Sequence, residues 1–420
     1  MRTTISFCAL LGCLLVTGVA FSQDATDPPD DSSTATQNDA AETGNGESDD
    51  SSKVEEQEPA SDEAGSDEPE SELSPELTEL RDRVRRCLAY YFYRPETTAR
   101  RSPWGVMHTV VGFGVDTPLV TGNKQANAIS WLCGNAPCNG MRLLYVEDGR
   151  LRLRMGPGYQ GHEGQFLCIL AQSRVKLDYP LWIGEHRLKV SDLVKHEQLT
   201  CESGTELTFK LIGISHYLDP DTTWENQHGE PWSIARLIKE ELAQSVLDAC
   251  CGGTHRMTGF SFAVKKRAKS GKPMTGQWYR AKRYVDDYCE YTFKLQNPDG
   301  SFSTNWFRGR ANSGDIPRKF DTTGHTLEWL VFSLPKDQLT DPRVVKAVSF
   351  LTDLMWENRQ REWEIGPKGH AVHALALYDE YVFGGKPGKR REQLAEYKVS
   401  QPTDEGDGQL VLSQSASVSP

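Results

Sequence analysis

The chain has 420 residues, with 47 Lys and Arg against 59 Asp and Glu, and a formal charge of −12. That length accommodates one large domain or two small ones beside flanking segments. After the first 22 residues no stretch is apolar and long enough to span a bilayer, which excludes an integral membrane protein of the helical type.

Met1–Thr4 carries Arg2, residues 5–19 are almost unbroken apolar sequence, and Ala20-Phe21-Ser22 supplies the small residues a signal peptidase reads. Residues 1–22 are therefore expected to be a cleavable secretory signal, and the mature protein to be secreted or periplasmic. The Leu-Leu-Gly-Cys13 run resembles a lipoprotein box only faintly, because the apolar run continues past Cys13. Residues 23–74 are Asp, Glu, Ser, Gly and Ala with hardly an apolar side chain. Taken to Glu76, 19 acids against Lys53 give −18. With +1 on the signal, the chain's −12 leaves about +5 for the remainder. A segment this charged buries too little to offset its ordering entropy, so disorder is expected there and in a second tail over 389–420. The folded domain is expected over 75–388. Export also argues against a nucleic-acid partner.

Eight cysteines follow the signal. Cys133 and Cys138 flank a Gly-Asn-Ala-Pro turn and are the best candidate disulfide, since an exported chain permits one. Cys87, Cys168 and Cys289 fall on apolar helix faces and are expected to be packed thiols.

In chain order, Ser74-Pro75 opens an amphipathic helix as N-cap and first residue, and Asp341-Pro342 repeats the device. Residues 234–242 and 285–293 have the same one-sided apolar stripe. Between these lie segments apolar on most sides, expected to be buried helices: 162–171, 205–218, 254–264, 325–334 and 370–378. With the weaker segments 104–113, 127–133 and 191–199, about six outer helices alternate with six inner ones. A β-hairpin is expected over 141–155, turning at Asp148-Gly149, with two further short strands between Leu181 and Lys189. The fold class is thus all-α, with one or two short β-hairpin insertions.

The helices also repeat. Gly-His recurs at Gly161-His162, Gly324-His325 and Gly369-His370, with Gly253-Thr254-His255 as a variant and a looser one at His108. The stretch Leu295-Gln296-Asn297-Pro298-Asp299-Gly300-Ser301-Phe302, between an amphipathic helix and a Gly-His helix, resembles the Gln…Asp-Gly…aromatic repeat of the squalene cyclase and prenyltransferase superfamily. The resemblance is clearest over residues 281–384. It implies an (α/α)6 toroid with inner helices parallel to one another and antiparallel to the outer ones.

Parallel inner helices would bring His162, His255, His325 and His370 to one mouth of the ring. Glu163, Asp321, Gly161, Gly253, Gly324 and Gly369 would stand beside them as ligand-binding positions. Helix N-termini there would favour anionic or carbonyl-rich ligands, and would lower the imidazole pKa values. The competing reading is that Gly-His is only a turn-and-cap device of the repeat. Asp248, Cys250 and His325 are similar to the Asp-x-Cys…His zinc set of protein prenyltransferases, although a fourth ligand is missing and no cofactor is the leading expectation. Asp286 and Asp287, the basic run 265–283, His373 and Tyr217 are read as solvated or packed groups. Two functions follow. One is a binding or scaffold protein for an extracytoplasmic glycan, peptide or protein. The other is a lyase or hydrolase of an anionic polysaccharide with histidine acid–base groups.

Overall fold

The computed structural model describes residues 73–247 and 249–398, so the expected signal and nearly all of both expected tails lie outside the described residues. Among the described residues there are thirteen helices: α1 (Pro75–Phe92), α2 (Pro103–Phe113), α3 (Ala128–Cys133), α4 (Gln165–Gln172), α5 (Val190–Leu199), α6 (Thr208–Tyr217), α7 (Ile234–Leu242), α8 (Thr254–Lys269), α9 (Gly276–Leu295), α10 (Ile316–Ser333), α11 (Pro342–Glu357), α12 (Ile365–Phe383) and α13 (Arg390–Gln393). Among the described residues no helix is long and apolar enough to cross a membrane.

Why these segments are helical is visible at their ends. The Ser74 side chain accepts from the Leu77 N–H with Pro75 behind it, and Asp341 accepts from the Arg343 N–H with Pro342 behind it. Both caps satisfy donors that the first turn leaves unpaired. Burial divides the helices into two kinds. On α1 one stripe of Leu80, Val84, Cys87 and Leu88 is buried, whereas α10 buries Leu327 to Val331 without a break and α12 buries Ala371, Val372 and Ala374 to Asp379.

The even-numbered helices are neighbours in a closed cycle: α2 packs on α4, α4 on α6, α6 on α8, α8 on α10, α10 on α12, and α12 returns to α2. Each odd-numbered helix from α1 to α11 lies against one or two of them. Close approach around the cycle depends on glycine. A Cβ at Gly369 would stand 2.2 Å from the His108 carbonyl oxygen, and one at Gly324 would stand 3.0 Å from the Ala371 Cβ. These glycines let α12 nest against α2 and α10.

Four small sheets decorate the connections, more than the one or two expected. β1 (Glu96–Thr97), β2 (Pro118–Thr121) and β3 (Lys124–Asn127) form one; β4 (Leu144–Glu147) and β5 (Arg150–Leu153), β6 (Pro180–Ile183) and β7 (His186–Lys189), and β8 (Thr223–Glu225) and β9 (Pro231–Ser233) form two-stranded antiparallel ribbons. Asp148 and Gly149 turn β4 into β5 with φ of +50° and +71°, as the Asp-Gly pair requires. The last ribbon pairs Trp224 with Trp232. Strands this short escape a reading that relies on alternation over several residues.

Two further expectations are corrected. Cys133 and Cys138 are separate buried thiols: Cys133 ends α3, while Cys138 is held in a bridge to Met141 beyond the turn. The folded chain also continues past residue 388. The Arg390 guanidinium, 3% exposed, reaches Asp379 at 3.3 Å and the Ala376 carbonyl at 2.8 Å, fastening α13 to α12.

Candidate functional site

Four imidazoles from four helices meet inside the cycle. Ring centroids lie 4.1 Å apart for His325 and His370, 4.9 Å for His255 and His370, 5.5 Å for His255 and His325, and 5.8 Å for His108 and His370. One nitrogen each of His255, His325 and His370 lies within 4.8 Å of the others, and the thiols of Cys250 and Cys251 stand in the same relation to His255. His162 joins through an aromatic link, stacked on Phe209 at 4.6 Å, whose edge meets His255 at 5.2 Å. All four histidines singled out by the Gly-His repeat are therefore neighbours. His108, the looser variant, belongs with them.

They do not arrive as expected. Only His255 sits at a helix start, the second residue of α8. His325 is ten residues into α10 and His370 six into α12, while His162 lies in the loop before α4. The true start of α10 is Asp315, whose side chain accepts from the Arg318 N–H ahead of Pro317. Helix N-termini therefore do not govern His162, His325 or His370. Carboxylates do.

Glu328, one turn past His325 on α10, lies buried between two histidines of α12. Its oxygens accept from Nδ1 of His370 at 2.7 Å and Nδ1 of His373 at 2.5 Å. Burial opposes its charge, but His370 and His373 outweigh that and hold it well below the ordinary carboxylate range. His370 itself is pushed well down: burial dominates over Glu328, with His325 and His255 adding to the effect. The ring is thus neutral, with Nδ1–H donated to Glu328 and Nε2 left as a lone pair. His373, expected to be mere packing, is part of this network. His325 sets Nδ1 against the Asp321 carbonyl at 2.9 Å and the Asp321 carboxylate at 3.2 Å, which raise it despite burial. Burial lowers His108 to about 4, opposed by its bond to the Trp104 carbonyl. Both nitrogens of His255 are shielded from solvent and bond no oxygen or nitrogen among the described residues, with the Cys250 thiol as a polar neighbour.

On the more open side, His162 Nδ1 meets Glu206 at 2.6 Å. Burial works against the charged ring, but bonds to Cys250 and Glu206 raise His162 to about 10, the reverse of the sequence expectation. The bond from Cys251, with His162 and His255 alongside, holds the Cys250 thiol far below its usual range against burial, and the same bond pushes Cys251 up.

The two cysteines lie on a distorted turn. Cys251, Gly252 and Gly253 take φ of +50°, +62° and +90° in succession before α8 begins. A non-glycine residue there is strained, a condition that tends to accompany function. A Cβ on Gly252 would stand 2.1 to 2.6 Å from Trp306 atoms. The Trp306 ring in turn lies edge-on to His325 at 5.7 Å. Gly252→Ala is therefore expected to cost about 2–4 kcal/mol from overpacking and a left-handed backbone, read as a lower Tm with altered Trp fluorescence. An unchanged Tm would show that Trp306 is free to move.

Beside His162, Glu163 pairs with the fully buried Lys210 ammonium at 2.8 Å, which also faces Glu197 at 3.6 Å. Burial raises Glu197 to about 7, more than Lys210 lowers it. A raised carboxyl stabilises the fold below its unfolded value near 4.5, and that contribution is lost as pH rises through about 7. The neighbouring His196, lowered to about 4 by burial and Lys210, acts in the opposite sense below pH 6.5. The stability difference between Glu197→Gln and the native chain isolates the carboxyl. It should shift in favour of the variant by roughly 3 kcal/mol from pH 4.5 to 8, measured by urea unfolding.

The remaining candidates are placed elsewhere or serve packing. Asp248 of the expected zinc set lies outside the described residues, and Cys250 groups with His255 rather than with His325. Gly161 donates its N–H to Gln165 at 2.9 Å, and a Cβ on Gly253 would stand 2.4 Å from the Val246 carbonyl. Tyr217 bonds the Val175 carbonyl at 2.8 Å, Asp286 pairs with Lys282, and Arg267 pairs with Asp221. Comparison with protein-family models, curated proteins and solved structures gives no match for this chain.

Proposed function

We propose that the chain is an exported enzyme built as an (α/α)6 toroid, and that the histidine cluster is a metal centre within its active site. The closed cycle of even-numbered helices with odd-numbered partners outside supports the toroid. One observation carries the metal reading. The nitrogens of half-buried His255 are shielded from solvent and bond no oxygen or nitrogen among the described residues, and one of them lies within 4.8 Å of a nitrogen of His325 and of His370, whose Nδ1 atoms are fixed by Asp321 and Glu328. Burying unpaired polar atoms is costly, and carboxylate-anchored imidazoles are the usual surroundings of a metal-bound histidine.

His255, His325 and His370 would hold the ion, with Cys250 as the nearest thiolate. Such a nitrogen-rich set suits zinc among the abundant divalent ions. When bound, such an ion polarises a carbonyl or lowers the pKa of a water molecule. The protein's own contribution is to keep His370 in the tautomer that frees Nε2 and to screen the centre with Trp306. His162 and Glu206 then supply a proton donor on the open side. Convergent His, Cys and Glu groups favour the hydrolase or lyase expectation over the scaffold. Metal analysis of the purified chain tests the centre, and absence of stoichiometric ion after zinc loading would refute it. Amino-terminal sequencing of the secreted product tests export: a start at Gln23 is expected, and an intact Met1 would oppose it.

The Cys250–His162–Glu206 alignment favours a second, metal-free reading. There Cys250 would be the nucleophile, His162 its acid–base partner and Glu206 the orienting group. Activity that survives exhaustive chelation but is abolished in Cys250→Ala would select it.

A further inference from the structure

A cationic groove lies outside the histidine cluster. It is a cavity of about 410 Å³ between the β4–β5 ribbon and α5, lined by Arg150, Arg152, Lys195, His196, Asp192 and Gln227 among others. Its size is in the range of small-ligand sites. Arg150 and Arg152 project on the same side of β5, two residues apart. Among the described residues neither Arg150 nor Lys195 has an ion-pair partner, and the nearest acid to Arg152 is Glu147 at 3.6 Å. That contact is made by the Arg152 Nε, which is shielded from solvent and has no closer partner among the described residues. The exposed Arg150 and Lys195 cations beside an open cavity are what a carboxylate or sulfate would engage, with the Arg152 charge alongside.

The other lining groups suit hydroxyls rather than charge. Asp192 accepts from the Lys189 N–H at 2.8 Å with one oxygen, leaving acceptor capacity on the other. Gln227 carries both a donor and an acceptor, and the His196 ring makes no hydrogen bond among the described residues. His196 is followed by buried Glu197, which faces buried Lys210, and Lys210 pairs in turn with Glu163, the exposed neighbour of His162. A chain of ion pairs thus runs from the residue beside His196 to the residue beside His162.

We propose that this groove binds an acidic sugar unit, bearing a carboxylate or a sulfate, of a polymeric glycan. It would thereby position the polymer for the centre beside it. This deepens the enzyme reading above and rests on it only for the step after binding. Guanidinium and ammonium groups would hold the acid, while Asp192, Gln227 and His196 would hold ring hydroxyls. An acidic peptide is the competing occupant, and the poly-glutamate arm of the titration tests it.

The test is isothermal titration of the full chain with polygalacturonate, chondroitin sulfate, poly-glutamate and neutral dextran at fixed ionic strength. Binding to one or both of the acidic glycans is expected, the first reporting carboxylate and the second sulfate, with none to dextran. Lys195→Gln, at an exposed position, and Arg152→Gln should each weaken binding about tenfold or more, as expected for loss of a charge-assisted contact. Both variants should keep the metal content of the native chain, and His370→Ala should keep the glycan affinity. Failure of the groove is therefore distinguishable from failure of the centre. Equal or tighter binding of poly-glutamate, no binding of either glycan, or unchanged affinity in both groove variants would overturn the proposal.

Discussion

If the histidine cluster is a zinc centre, replacing His370 by Ala is expected to abolish zinc retention. Native chain loaded with zinc and dialysed should retain about one equivalent, and the variant should retain almost none, because three protein ligands are the minimum for a firm site. His325→Ala and His255→Ala should behave alike, and agreement among three ligands on three helices guards against one variant that merely folds badly. Glu328→Gln is the more discriminating change. It keeps the volume but cannot hold two Nδ1–H donors as a carboxylate does, so zinc affinity should fall about 10–100-fold while some binding survives. The proton balance has a definite sign. Imidazole must lose its proton to bind, so zinc should be released as pH falls below about 6 and bound again as it rises. Titration with a zinc indicator, with circular dichroism as a folding control, reads all of these. Equal retention by native chain and His370→Ala would end the reading.

How much of this was legible before folding depends on the range of the interaction. Caps are local, and Ser74-Pro75, Asp341-Pro342 and the Asp148-Gly149 turn were readable because each motif contains its own partners. The Gly-His recurrence was readable because a repeat imposes it, and the structure does bring His162, His255, His325 and His370 together. Their electrostatics were not readable. Glu206 lies 44 residues from His162 and Glu328 lies 42 from His370, so nothing in the local sequence marks either acid as a partner. Glu328 was the nearest to a signal, as a lone acid inside the apolar run 327–334. An ionisable group there must be paired if it is buried. The Asp315-Ile316-Pro317 cap was equally present, and its use would have started α10 nine residues earlier.

A second large effect is expected at Glu241, near the end of α7. Its side chain is fully buried and its oxygens accept from the Leu207 N–H at 2.7 Å, the Thr208 hydroxyl and Arg256 Nε at 2.9 Å. Arg256, 4% exposed, also donates to the Ser245 carbonyl at 2.6 Å and to Gln244 at 3.0 Å. One carboxylate therefore caps the start of α6, neutralises a buried guanidinium of α8 and anchors both to α7. Glu241→Ala removes the anion and leaves the cation and two donors without it, which should cost about 3–5 kcal/mol, measured by urea unfolding. Glu241→Gln, able to accept but not to neutralise, should cost less. Adding Arg256→Met to Glu241→Ala should recover part of the loss, because the uncompensated charge rather than the missing contact dominates the penalty. A double variant no more stable than the single one would place the cost in the α6 cap instead. Arg256 follows His255 directly, so the same change loosens the start of α8. In Glu241→Ala the zinc affinity should fall together with stability, whereas in the double variant stability should return ahead of affinity.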